Sequence, residues 1–253
     1  MRHSSQTQPC YGLLWGRPSL AVRQAWYPAS EYPPWYHCQC LQAGLLKEES
    51  VADVDLYLDP VCPFSWVTSR WLLDAAHPTD TPVTLRQMSL AVLNDGNDVG
   101  AQQQRMIDRS RRLGRLFAAV ADRHGHDAFS RLYDAIGTRV HVRREEITPS
   151  MISETLADNG FDRLLSKALD DNTFDEAVRH LHQASQDALG GRAGSPIVVV
   201  DGHGFFGPVL TRIPSEQDGL RLLDAVLTAA TVPGFAVLQR PYQGPPIITE
   251  TGS

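Results

Sequence analysis

Hydrophobic and polar positions repeat with a regular period only after residue 50. Val54-Asp55-Leu56-Tyr57-Leu58 alternates and predicts a strand, which Asp59-Pro60 ends. The apolar run behind Cys62-Pro63-Phe64-Ser65-Trp66 and on to Leu73 predicts a helix starting at Pro63. Proline suits that first turn because the N–H it lacks would have no partner there. Pro82 to Met88 alternates again as a second strand. Strand, helix and strand within about 35 residues form the pattern of a parallel βαβ unit. Met106, Leu113, Phe117 and Val120 then share one face of a helix from Gln102 to His124. Shorter helical stripes follow at Phe129/Leu132/Tyr133/Ile136, Met151/Ile152/Leu156, Leu164/Leu165/Leu169 and Phe174/Val178/Leu181/Ala188. Together they predict an all-helical insert over residues 100–190.

Beyond Gly190-Gly191 the period returns to that of a strand. Ile197–Val200, a turn at Asp201-Gly202-His203-Gly204 and a short strand at Phe205-Phe206 predict a β-hairpin. A last helix runs from Ser215 to Ala230, with Leu220, Leu223 and Leu227 on one face. The order βαβ, helical insert, ββα predicts the α/β class and a thioredoxin-like fold with its insert between the two halves.

Residues 1–50 read differently. They carry Trp15, Trp26, Trp35, Cys10, Cys38 and Cys40, and prolines break every run. The segment is expected to be a poorly ordered extension, with the domain proper at 51–240 and a C-terminal tail at 241–253. Cys38-Gln39-Cys40 lacks a second Cys/His pair at zinc-like spacing, so no metal is expected. Across the 253 residues, 23 basic and 29 acidic side chains leave −6, a balance that argues against nucleic acid as a partner. No apolar run reaches the roughly 18 residues a bilayer span requires. With few cysteines, a reducing, cytoplasmic setting is expected rather than a secreted disulfide scaffold.

The chemistry centres on Cys62, the only cysteine of the predicted domain. At a helix start, free N–H groups and the macrodipole stabilise an anion, so a lowered thiol pKa is expected. The alternative is a small buried apolar residue. Ser195-Pro196, directly before the Ile197 strand, is a candidate cis bond; an ordinary trans proline opening a strand is the alternative. Trp66 and Trp71 read as core, with Trp66 also placed to wall a pocket. Asn94, in the loop after the second strand, reads as a turn former or a substrate ligand. His141 lies in the basic stretch Arg139-Val140-His141-Val142-Arg143-Arg144, read as either an attractor of carboxylates or a solvated helix end. His180 and His182, two apart, make a poor metal pair on a helix.

Residues 51–240 resemble the DsbA-like branch of the thioredoxin superfamily, most closely the actinobacterial mycothiol-dependent nitroreductase type. The stretches that carry the resemblance are Asp59-Pro60-Val61-Cys62-Pro63-Phe64-Ser65-Trp66 and on to Trp71, and Met88 to Asn94. Gly194-Ser195-Pro196, Phe205-Phe206-Gly207-Pro208-Val209-Leu210, Arg212-Ile213-Pro214 and Pro233-Gly234-Phe235 complete it. The resemblance implies that Cys62 is the nucleophile and that Pro196 is cis and faces it. It further implies that Ser195 offers backbone groups to the substrate, with Pro63, Phe64, Trp66 and Asn94 around the pocket. It departs at Ser65, which stands where the family has its resolving cysteine. Serine cannot release a mixed disulfide, so a monothiol cycle with a low-molecular-weight thiol from solution is implied, mycothiol or else glutathione or bacillithiol. A small thiol plus a small organic or disulfide substrate are the expected partners, and homodimerisation is left open. The motif is also similar to the Ser-Pro-aromatic-Ser-Trp of kappa-class glutathione transferases and chromene-carboxylate isomerases, where a bound cofactor thiol does the work. A redox-inactive binding module is the third reading.

Overall fold

The computed structural model describes residues 52–125 and 127–248. The expected extension at 1–50, with Cys10, Cys38 and Cys40, lies outside the described residues, as do 249–253. The described residues form one compact unit.

The sheet consists of β1 (Val54–Leu58), β2 (Val83–Gln87), β3 (Ile197–Val200) and β4 (His203–Phe206), in the order β2-β1-β3-β4. β1 runs parallel to β2, with Val54 opposite Val83, and antiparallel to β3, with Val54 opposite Val200. The alternation in β1 sends Val54, Leu56 and Leu58 into the main core and leaves Asp55 and Tyr57 half-buried on the other face. β3 is buried at all four positions because helices cover both of its faces. On one face, α1 (Pro63–Ala76) packs against the final helix α7 (Glu216–Thr231). There the Trp71 indole N–H donates to the Gly219 carbonyl at 3.0 Å. On the other, Met88, Ile197 and Val199 pack with Ala188 and Leu189 of α6 (Asp175–Leu189). This is the thioredoxin-like α/β arrangement expected from the element order.

The insert holds α2 (Leu90–Leu93), α3 (Ala101–His124), α4 (Asp127–Gly137), α5 (Pro149–Asp158) and α6. Arg112 and Arg115 of α3 fork onto Asp170 and Asp175 with paired hydrogen bonds of 2.6–3.0 Å, tying the long helix to the segment that returns to the sheet.

Local differences from the sequence reading have steric causes. The hairpin turn is only Asp201-Gly202, both at positive φ (47° and 82°), so His203-Gly204 belong to β4 rather than to the turn. Gly204 is required there because a Cβ would overlap the backbone of Ala188 in α6. The Leu164/Leu165/Leu169 stripe forms a 3-10 helix, Arg163–Asp170, instead of an α-helix. At three residues per turn the stripe splits, burying Leu169 and leaving Leu164 63% exposed. In α6 the buried face takes in His182, Ser185 and Gln186 beside Val178.

After Val232 the chain is irregular but held. Tyr242 stands edge-on to Phe64 at 5.2 Å, the Ile247 N–H donates to the Thr211 carbonyl at 2.8 Å, and Ile248 packs on the core. Among the described residues no helix is long and apolar enough to cross a membrane.

Candidate active site

Cys62 is the N-cap of α1, with extended backbone (φ −76°, ψ 113°) and Pro63 next to it. The Cys62 side chain makes no cap hydrogen bond, and the N–H groups of Phe64 and Ser65 near its sulfur favour a charge there. The Cys62 thiol donates to the Ser195 carbonyl, Sγ to O 3.5 Å. Ser195 precedes Pro196 through a cis peptide bond, and both residues are buried. The sheet brings these two loops together: β1 and β3 are adjacent, and Cys62 follows one while Pro196 leads into the other.

The expected low thiol pKa is not what the site provides. Cys62 is only 6% exposed, and burial pushes the thiol up because a thiolate there would lose its water. The Ser65 hydroxyl and the N–H groups of Ser65 and Phe64 pull it back, and the nearby Asp59 charge adds to the rise. Desolvation outweighs the helix start.

Ser65, at the resolving position, is fully buried. Its hydroxyl pairs with that of Ser195, and the Ser195 Oγ also accepts the Asp59 N–H at 2.8 Å. Ser65 therefore fastens the start of α1 to the loop around Pro196. Phe64 is half-buried against Tyr242.

Trp66 is buried and lies between insert and sheet half. It stacks on His141 at 5.5 Å, tilts against Tyr133 at 5.6 Å and carries the Arg70 guanidinium 4.4 Å from its ring centre. Gly137, the last residue of α4, is indispensable to this packing, since a Cβ there would overlap the indole. The following π-helical turn, Thr138–Val142, carries His141 inward. His141 is therefore neither a solvated helix end nor part of a free basic cluster. It is buried, and its Nε2–H donates to the Pro60 carbonyl at 2.9 Å, on the loop leading to Cys62. Burial holds it neutral, its pKa pushed down to about 4. Arg139 is taken up by Glu145 and Glu154. Asn94 caps α2, its Nδ2 donating to the Leu90 carbonyl at 2.8 Å, which is the turn-forming role.

Two polar residues of the site had no functional reading in the sequence. Asp59 is fully buried at the end of β1, and Ser110 of α3 reaches it with a 2.5 Å hydrogen bond. Asp59-Pro60 reads as a strand terminator. Ser110 carried a signal, a polar residue inside the apolar stripe between Met106 and Leu113.

Gly190, Gly191 and Arg192, in the segment between α6 and Ser195, line an open cavity of about 660 Å³ whose lining includes none of Cys62, Ser65, Ser195 and Pro196. Its lining is mixed, with Val92 and Leu93 facing Asp95, His182, Gln183 and Arg192 among others. Among the described residues no cluster of three or more His, Cys, Asp or Glu has the grouping of a metal site.

Residues 61–240 match a family described as mycothiol-dependent nitroreductase Rv2466c. The chain belongs to this Rv2466c-like family. It is an oxidoreductase of a thiol-dependent type. A relative from Mycobacterium tuberculosis strain H37Rv, the uncharacterized protein Rv2286c, is 32% identical over 193 residues, spanning 74% of this chain and 81% of its own. Among solved structures, a probable DsbA oxidoreductase from Streptomyces coelicolor superposes with TM-score 0.49 at 18% identity, covering 76% of this chain and 94% of its own. Pseudomonas aeruginosa DsbA superposes with TM-score 0.44 at 14% identity, covering 72% and 85%.

Proposed function

We propose that this member of the Rv2466c-like family works in the cytoplasm as a monothiol oxidoreductase, with Cys62 exchanging disulfides with mycothiol. The observation that carries this reading is the pairing of Cys62, the one cysteine among the described residues, whose thiol donates to the Ser195 carbonyl, with a serine at position 65. Deprotonated Cys62 attacks one sulfur of a low-molecular-weight disulfide, the S–S bond breaks and one thiolate leaves. A second small thiolate then attacks the sulfur of the bound thiol, frees Cys62 and departs as a symmetrical disulfide. In each exchange one S–S bond forms as one breaks, so no outside oxidant enters. When a small organic compound is reduced, two thiols supply the two electrons and leave as the disulfide. The family description supports mycothiol as the thiol and a nitro compound as such a substrate.

Burial disfavours the thiolate in the resting site, and the N–H groups of Phe64 and Ser65 are the groups that favour its charge.

Intact mass after oxidation with mycothiol disulfide, and separately with glutathione disulfide, tests the reading. One adduct is expected, absent in Cys62→Ala and released by a second equivalent of thiol. Ser65→Cys is expected to release the adduct without added thiol by forming a disulfide with Cys62. No adduct on Cys62 overturns the reading and leaves thiol transfer by a bound cofactor, or a binding module.

A further inference from the structure

Asp59 is a buried carboxyl that the disulfide-exchange cycle does not use, yet it is the most heavily hydrogen-bonded side chain near Cys62. Its Oδ1 accepts the Val61 N–H at 2.8 Å. Its Oδ2 accepts the Leu90 N–H at 2.6 Å and the Ser110 hydroxyl at 2.5 Å. Ser110 Oγ in turn accepts the Ala91 N–H at 2.9 Å while its hydroxyl donates to Asp59. The two N–H groups and the hydroxyl are a set of donors that matches a carboxylate, and they oppose the burial that raises the carboxyl's pKa. The main chain of the same residue completes the junction, its carbonyl accepting the Cys62 N–H at 3.0 Å and its N–H donating to Ser195 Oγ.

We infer that Asp59 is the positioning residue of the Cys62 site, an anion held by donors from the Cys62 loop, α2 and α3 that fixes the thiol's loop and sets how readily the thiol ionises. The reasoning rests on Cys62 being the working thiol. Two effects follow. The three bonds hold residues 59–62 in one shape, so the insert, through Ser110, governs where the sulfur points. The negative charge opposes a second one on Cys62, keeping the thiol protonated until substrate arrives. The other titratable groups near this centre are Tyr133 of α4 and His141, which bonds the next carbonyl, both neutral at pH 7, and Arg70 of α1, which lies over the Trp66 ring and pairs with Asp134. Of the charged groups, Asp59 is the one that acts on the Cys62 thiol.

The test measures the pH dependence of Cys62 alkylation by iodoacetamide in the full chain, alongside kcat and KM in the thiol-dependent assay and thermal stability. Asp59→Asn is expected to lower the alkylation midpoint by about one pH unit, which is roughly tenfold faster reaction below the midpoint, while kcat falls and KM changes little. The amide must point an N–H at donors, so the loop loses its shape. Ser110→Ala is expected to move the midpoint and kcat the same way but less, and Ser110→Thr, which keeps the hydroxyl, to restore both. If Asp59→Asn does not fold, the Ser110 pair decides. A wild-type midpoint and kcat in every folded variant, even with lowered stability, overturns the inference. Failure of Cys62 to form a thiol adduct in wild type strikes the disulfide-exchange reading instead, because alkylation is scored independently of it.

Discussion

The sheet half and the helical insert meet around residues 59–66, and besides Cys62 and Tyr133 each places a buried acid or base there. From the sheet half comes Asp59, surrounded by three donors, and from the insert comes His141, with a single bond to the Pro60 carbonyl. Burial disfavours the charged form of both. The donors around Asp59 compensate for lost water and suit an anion. His141 has less compensation and is neutral. The contrast lies in the local partners: burial acts against the charge on both groups, three donors oppose it at Asp59, and a single bond to the Pro60 carbonyl opposes it at His141.

The comparison breaks most visibly at Gly137. Gly137→Ala puts a methyl group into the Trp66 ring, which must move, and with it His141 and its bond to Pro60. Overpacking of this kind costs about 3 kcal/mol or more when backbone must shift. Urea unfolding is expected to show that loss, together with altered Cys62 alkylation. An unchanged alkylation rate would mean that the insert does not reach the thiol through this layer.

Acid sharpens the contrast. An unfolded histidine takes its proton near pH 6.5, but His141 in the folded chain does so only at about 4. Its folded pKa is depressed, so the stability it contributes is present above pH 6.5 and is lost as pH falls toward 4. That window carries roughly 3 kcal/mol at most. Asp59 acts in the opposite sense, because a raised carboxyl binds its proton more readily folded than unfolded. Denaturant midpoints between pH 7 and 4 should fall steeply in wild type and more gently in His141→Phe, which keeps a ring against Trp66. Equal slopes would place the acid sensitivity elsewhere.

The smallest effect is expected at Leu164. It sits in the predicted apolar stripe yet is largely exposed. Leu164→Gln should change the urea midpoint by less than about 0.5 kcal/mol in stability, and Leu169→Ala, in the same stripe, by about 2–5 kcal/mol. A comparable cost at both sites would mean an α-helical segment rather than a 3-10 one.

Much was legible in the sequence where a local rule governs. The period of Val54–Leu58, the proline at position 63 and the alternation before Met88 fixed β1, the start of α1 and β2 to within a residue. The serine at position 65 was legible as a departure, since it changes what the chemistry can do. Its fastening role was not, because that depends on Ser195, 130 residues away. The turn at Asp201-Gly202 was placed too broadly for a similar reason: Gly204 is dictated by the backbone of α6 and not by turn chemistry.

The sequence by itself determined the strand and helix order, the place of Cys62 at a helix start and the family, because these rest on short-range periods and contiguous motifs. Only the tertiary structure decided that the thiol is buried enough to rise rather than fall in pKa, that Asp59 gathers three donors and that His141 is neutral. Protonation in an interior depends on how much water is removed and which donors replace it, and both come from segments far apart in the chain.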